Sequence, residues 1–204
     1  MKRWTDELKR GDQVANLYRS EIEQAKVLLD LLRWMGESDK MVLLTDSWER
    51  PVFRHAILDA AVEEGRLSPL PSRAVMFAAG RFDPEAFLVF ILDEISRSRE
   101  EGCRHTVLVW EADWAAGLDA WNQVAEFGSG LALAPLPGRT TVVAQYGTAV
   151  HSERQTDMLR RSNQLVLEAG SLARNFWVVS NSSYGGIMTA AVGTVAKKVS
   201  WSER

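Results

Sequence analysis

The residues with the most chemical potential stand together in Trp110-Glu111-Ala112-Asp113-Trp114. They follow the run Thr106-Val107-Leu108-Val109-Trp110, which is β-branched and apolar with no polar alternation. Such a run predicts a strand buried on both faces, as in the middle of a parallel sheet. Ligands of open α/β sheets bind beyond the carboxyl ends of the strands. A carboxylate there, Glu111, suits a ligand-binding acid or a general base, and Trp114 suits a rigid ligand wall. Capping of the next turn, or pairing with an arginine, is the structural alternative for Glu111. Trp110, inside the strand run, is expected in the core.

Two other predicted strands end in polar residues. Tyr18 and Arg19 close the first, and the planar fork of Arg19 would suit an anionic or carboxylate ligand, or a salt bridge to Glu111 or Asp46. Gln145 and Tyr146 close another and could supply neutral hydrogen bonds, or pack the fold. The candidate ligand-binding set is therefore Tyr18, Arg19, Glu111, Trp114, Gln145 and Tyr146, expected to line one cavity.

Other chemistries find little support. His55, His105 and His151 lie in unrelated segments without metal-ligand spacing, and each is expected at the surface or a strand edge. Gly128-Ser129-Gly130 lacks a nucleophile elbow. Cys103 stands alone, which excludes an internal disulfide and suits a reducing cytoplasm. No serine, histidine and acid set can be assembled, so no catalytic residues are assigned and no enzyme is expected. No cofactor is identified. The net charge of −3 gives no general basic field for nucleic acid or membrane. Residues 1–10 are too charged for a signal peptide, and the late apolar run 186–196 is too short to span a bilayer. A cytoplasmic location is expected.

The elements that would position these residues alternate along the chain. Strands are expected at 13–18, 41–45, 106–110, 140–146 and 164–167, with a weak one and a loop within 67–77. Helices are expected at 21–35, behind a Ser20–Glu23 capping box, and at 51–64, from 83 to 102, at 118–127 and at 152–161. A Gly/Pro-rich loop is expected over 128–138 and a small-residue helix near 186–199. At 204 residues this is one α/β domain with a mostly parallel central sheet and helices on both faces.

In nucleotide-binding α/β proteins the first strand–helix turn cradles phosphate with glycines and free amides. Here it reads Tyr18-Arg19-Ser20-Glu21-Ile22-Glu23, without glycine or lysine and with two carboxylates at the positive helix end. Phosphate would be repelled.

Taken together, Gly11-Asp12-Gln13, Tyr18-Arg19-Ser20-Glu21, Arg81-Phe82-Asp83-Pro84, Trp110-Glu111-Ala112-Asp113-Trp114 and Gln145-Tyr146 resemble the MEDS family, the sensory domain of methanogens and methylotrophs. The resemblance implies a three-layer, RecA-like fold that has lost its phosphate loop, and a role as ligand sensor. One relative regulates dichloromethane dehalogenation through an added DNA-binding helix-turn-helix. Gln13 stands where the family often carries a histidine, which leaves that position without an assigned role.

The expected organisation is a polar segment over 1–10, a MEDS-like domain over 11–184 and a small-residue helix and tail over 185–204. With about ten residues ahead of the domain, no DNA-binding module is expected there. The expected function is a non-catalytic sensor that binds a small molecule and signals to a partner protein or a second copy, without contacting nucleic acid or membrane. The alternatives are a degenerate ATPase or transferase with Glu111 as general base, or a scaffold with a vestigial pocket.

Overall fold

A computed structural model describes residues 3–78, 80–117, 121–133, 136–137 and 140–175. The helix expected near 186–199 lies outside the described residues. The first strand, β1 (Gln13–Tyr18), passes through a Ser20 cap into α1 (Glu21–Trp34) and then β2 (Asp39–Leu44). After α2 (Ala56–Glu63) come β3 (Leu67–Leu70), the short α3 (Ser72–Met76) and a hairpin of β4 (Phe77–Ala78) and β5 (Arg81–Phe82). The long α4 (Pro84–Glu100) starts at Asp83, whose carboxylate accepts the amides of Glu85 and Ala86, with proline at the first helical position. It leads to β6 (His105–Glu111), α5 (Trp121–Leu133), β7 (Thr141–Gly147), α6 (Glu153–Ser162) and a closing hairpin of β8 (Leu165–Glu168) and β9 (Ser171–Arg174).

The main sheet runs β3-β2-β6-β7-β1-β8-β9, parallel throughout except for β9. Its strands alternate between two cores. Val107 and Val109 of β6 pack with Leu28 of α1 and Leu58 of α2 on one face. Leu108 and Trp110 pack with Phe87 of α4 and Phe127 of α5 on the other. This explains the unbroken apolar run in β6: both sides are buried, so neither needs a polar position. Helices cover both faces, giving the expected three-layer α/β domain. Among the described residues no helix is long and apolar enough to cross a membrane.

Several local expectations are corrected. The helix expected over 51–64 is a 3-10 turn (Pro51–Phe53) followed by α2, whose first turn is capped by the His55 imidazole accepting the Ile57 amide at 3.2 Å. Segment 67–77 adds α3 and β4 to its one main-sheet strand. The loop expected from residue 128 gives way to the continuation of α5 to Leu133. Gly128 serves close packing there: an added Cβ would lie 3.1 Å from the Tyr146 hydroxyl. The strand β9 carries no clear sequence signal, because its turn, Ala169-Gly170, has positive φ at both residues, and alanine seldom marks such a turn. The polar segment at the start is anchored, with Trp4 buried and its indole donating to Asp30 at 3.1 Å.

Candidate functional site at the carboxyl edge of the sheet

Side-by-side pairing sets which residues meet at this edge. Glu111, the last residue of β6, is level with Gln145 of β7, which is level with Asn16 of β1. On the other flank of β6, the loop after β2 supplies Thr45 and Ser47. Helix α2 follows β2 on one face and α5 follows β6 on the other, so the strand order reverses between these two strands, the kind of switch point beyond which open α/β sheets bind ligands. The Glu111 carboxylate is buried there and accepts the Thr45 hydroxyl at 2.5 Å and the Ser47 hydroxyl at 3.2 Å. Thr45 Oγ1 also accepts the Ser47 amide at 2.9 Å, which fixes the loop. Burial raises the Glu111 carboxyl above the ordinary carboxylate range, with the Thr45 hydrogen bond opposing it.

Two residues on, Asp113 ties β6 to the next two strands. Its carboxylate accepts the Gly147 amide at 2.6 Å and the Tyr18 phenol in a short hydrogen bond. Burial, then the Asp113 charge, pushes the Tyr18 phenol far above its usual value, so Tyr18 acts as a donor. His151 lies 3.8 Å from the same carboxylate, in contact with the Trp121 ring at a centroid distance of 4.7 Å. Burial lowers its imidazole below the usual value, against the pull of Asp113. The expectation that the histidines lie at the surface or a strand edge therefore fails for two of them. His151 is enclosed by aromatic rings, and His105 is buried beside Thr141 at 3.0 Å.

The predicted ligand residues separate into three groups. Glu111 and Tyr18 join the carboxylate network, and Gln145 lies level with it. The Gln145 side chain is buried, accepting Gln24 at 3.2 Å rather than facing solvent. Tyr146 points to the opposite face and is enclosed by Trp110, Trp121 and Gly128. Arg19 is exposed and faces Glu168 at 3.9 Å, not Glu111. The alternation of side chains along β7 makes it impossible for Gln145 and Tyr146 to share one face.

Trp114 forms the third group. Its indole N–H donates to the Glu111 carbonyl at 2.7 Å, and its ring meets Phe77 edge-on at 4.8 Å and Phe82 at 5.6 Å. Trp114, Phe77, Gly80 and Arg73 line an open cleft of about 350 Å³. A larger hollow of about 1270 Å³ is lined by Trp121 and Asn122 of α5 and by the start and face of α6, mainly by polar side chains such as Ser152, Arg154 and Asp157.

Thr45, Ser47, Asp113 as a cross-strand acceptor, and the cleft residues Phe77 and Arg73 were not singled out from sequence. Thr45 and Ser47 did carry a signal, hydroxyls directly after an apolar strand. Chemically the edge offers a buried proton acceptor whose two oxygens already hold hydroxyls, and an aromatic cleft beside it. Among the described residues no group of three or more histidine, cysteine or acidic side chains could hold a metal. At the first turn, Ser20 Oγ accepts the Glu23 amide at 3.3 Å and Glu23 accepts the Arg19 amide at 2.8 Å. Amides that would grip phosphate are thus engaged by the chain itself.

The fold is similar to a solved structure of an ATPase domain, at 12% identity and a TM-score of 0.47, over 79% of this chain and 70% of that one. No match was found among curated proteins. The family model described as "MEDS: MEthanogen/methylotroph, DcmR Sensory domain" matches residues 14–163.

Proposed function

The chain belongs to the MEDS family of sensory domains, and on that premise we propose that it binds a small molecule beyond the carboxyl ends of its strands and signals by protein–protein contact. The observation that carries this reading is the attachment of Trp114. It walls the cleft and is bonded through its indole to the residue whose carboxylate holds the loop after β2. Asp113, next to Trp114, holds the ends of β1 and β7. A molecule pressing on Trp114 therefore acts on four strand ends at once, which suits a domain that reports occupancy.

In this reading Trp114 contacts the ligand, while Glu111 and Tyr18 set the position of the wall. Gln145, Tyr146 and Arg19 hold the surrounding fold. We take the domain as non-catalytic, which is supported by Glu111, whose two oxygens are already engaged by the Thr45 and Ser47 hydroxyls. Segment 186–204, rich in small residues, is the candidate contact surface for a partner protein or a second copy. Deleting it should leave a folded domain that no longer associates.

Native mass spectrometry of the purified protein tests ligand binding. A bound small molecule is expected on the wild type and is expected to be lost from Trp114→Leu; equal retention by the variant would refute the site.

A further inference from the structure

Resting on that reading of the cleft, we infer that its ligand is a planar aromatic anion, a one- or two-ring body bearing a carboxylate. The volume of about 350 Å³ lies at the small end of the range for small-molecule sites. Two of its four lining residues are aromatic, and they are held in place. The Trp114 indole is tied to the Glu111 carbonyl at 2.7 Å, Phe77 meets its ring edge-on, and Phe82 backs it. A preset wall of indole and phenyl favours a flat ring over a flexible chain, since stacked and edge-to-face contacts add to simple burial.

Charge at the rim then selects among flat molecules. Arg73 is 72% exposed, and its Nε faces Asp46 at 3.4 Å. Its backbone amide donates to the same carboxylate at 3.2 Å. Asp46 thus orients Arg73 from one side. The two terminal guanidinium nitrogens have no partner among the described residues and can engage a carboxylate through two parallel hydrogen bonds. A cation would gain from the aromatic faces but would meet the Arg73 charge, and a neutral amide offers the fork one uncharged oxygen in place of two charged ones. Asp46 lies between Thr45 and Ser47, which hold Glu111, so an anion drawn to Arg73 also bears on the carboxylate network.

The test is a titration of the full chain with 2-naphthoate, 2-naphthamide and 2-naphthylmethylammonium. It is followed by the NMR signal of the Trp114 indole N–H, assigned through Trp114→Phe. Naphthoate is expected to shift this signal saturably, with a Kd at least tenfold below that of the amide. Arg73→Gln should abolish the tenfold preference, bringing naphthoate to the affinity that the amide shows for the same variant. If the amide or the ammonium binds at Trp114 as tightly as naphthoate, or Arg73→Gln leaves naphthoate unaffected, the anion assignment is overturned while the cleft stands as a ligand site. If none of the three probes moves the Trp114 signal, this assignment is overturned; the proposed function itself falls only if native mass spectrometry also shows no Trp114-dependent bound molecule.

Discussion

The Asp113 carboxylate sits so close over Gly147 that residue 147 has no room for a side chain: an added Cβ would lie 2.8 Å from Oδ2. The same contact lets Asp113 reach both the Gly147 amide and the Tyr18 phenol. Gly147→Ala should force the carboxylate aside and break both bonds. Hydrogen bonds to charged groups contribute about 1.5–3 kcal/mol each, so a loss of about 3 kcal/mol and a fall in Tm of roughly 6–12 °C are expected. Thermal unfolding followed by circular dichroism measures it; an unchanged Tm would show that the clamp contributes little.

Tyr18→Phe removes the phenol and keeps the ring. The Asp113 acceptor is left with fewer partners in a largely buried place, so a cost of about 1–3 kcal/mol is expected. Urea unfolding should show it as a lower midpoint at constant slope.

Glu111 gives a pH signature. Because burial raises its carboxyl in the fold, the folded chain holds this proton more tightly than the unfolded chain, where glutamate titrates near ~4.3. Stability linked to Glu111 is therefore full below ~4.3 and declines as pH rises through the raised folded value. Glu111→Gln keeps the shape and removes the charge. Relative to wild type, the variant should gain stability from pH 4 to pH 7; a constant difference across that range would contradict the burial argument.

His151 works in the opposite direction. Burial lowers its imidazole, so the unfolded chain binds this proton first, near ~6.5. The stability it contributes is full above that pH and is lost as pH falls toward the lowered folded value. His151→Gln should lose less stability than wild type between pH 7.5 and 5.5, by up to ~1.4 kcal/mol per pH unit where only the unfolded chain is protonated. Equal slopes would count against an uncharged, ring-enclosed histidine.

How much of this could be read in advance depended on whether the signal was local. The bounds of β1 agree with the strand expected at 13–18, and the body of β6 follows from its apolar run, because a strand buried on both faces announces itself residue by residue; the polar ends of β6, His105 and Glu111, lie outside that run. Glu111 and Trp114 were visible as polar and aromatic residues at a strand end. The Thr45–Glu111 and Tyr18–Asp113 bonds were not, since they join residues 66 and 95 positions apart. They exist only because the strand order sets β2 beside β6 and, through β7, brings β1 within reach. Gly128 misled for a related reason: a glycine admitted for the Tyr146 hydroxyl is indistinguishable in sequence from one that ends a helix. His151 lies close after a strand end in sequence, but its burial depends on Trp121 of a distant helix.

Nucleotide should not bind. The first turn is occupied by its own Ser20 and Glu23 contacts, and its acids oppose phosphate at the helix start. Calorimetry with Mg-ATP at about millimolar concentration should give no saturable heat on this reading, and a micromolar Kd would contradict it.

The central claim, that a small molecule is sensed at Trp114, is tested most directly by ¹⁹F NMR of the chain labelled with fluorotryptophan. Each signal is assigned by a single Trp→Phe change, and a soluble metabolite extract of the source organism is titrated in. The account predicts a saturable shift of the Trp114 signal, with those of Trp4 and Trp34, buried or packed on the far side of the sheet, unmoved. Saturable binding that leaves Trp114 unmoved, or no saturable shift at any tryptophan, would contradict it.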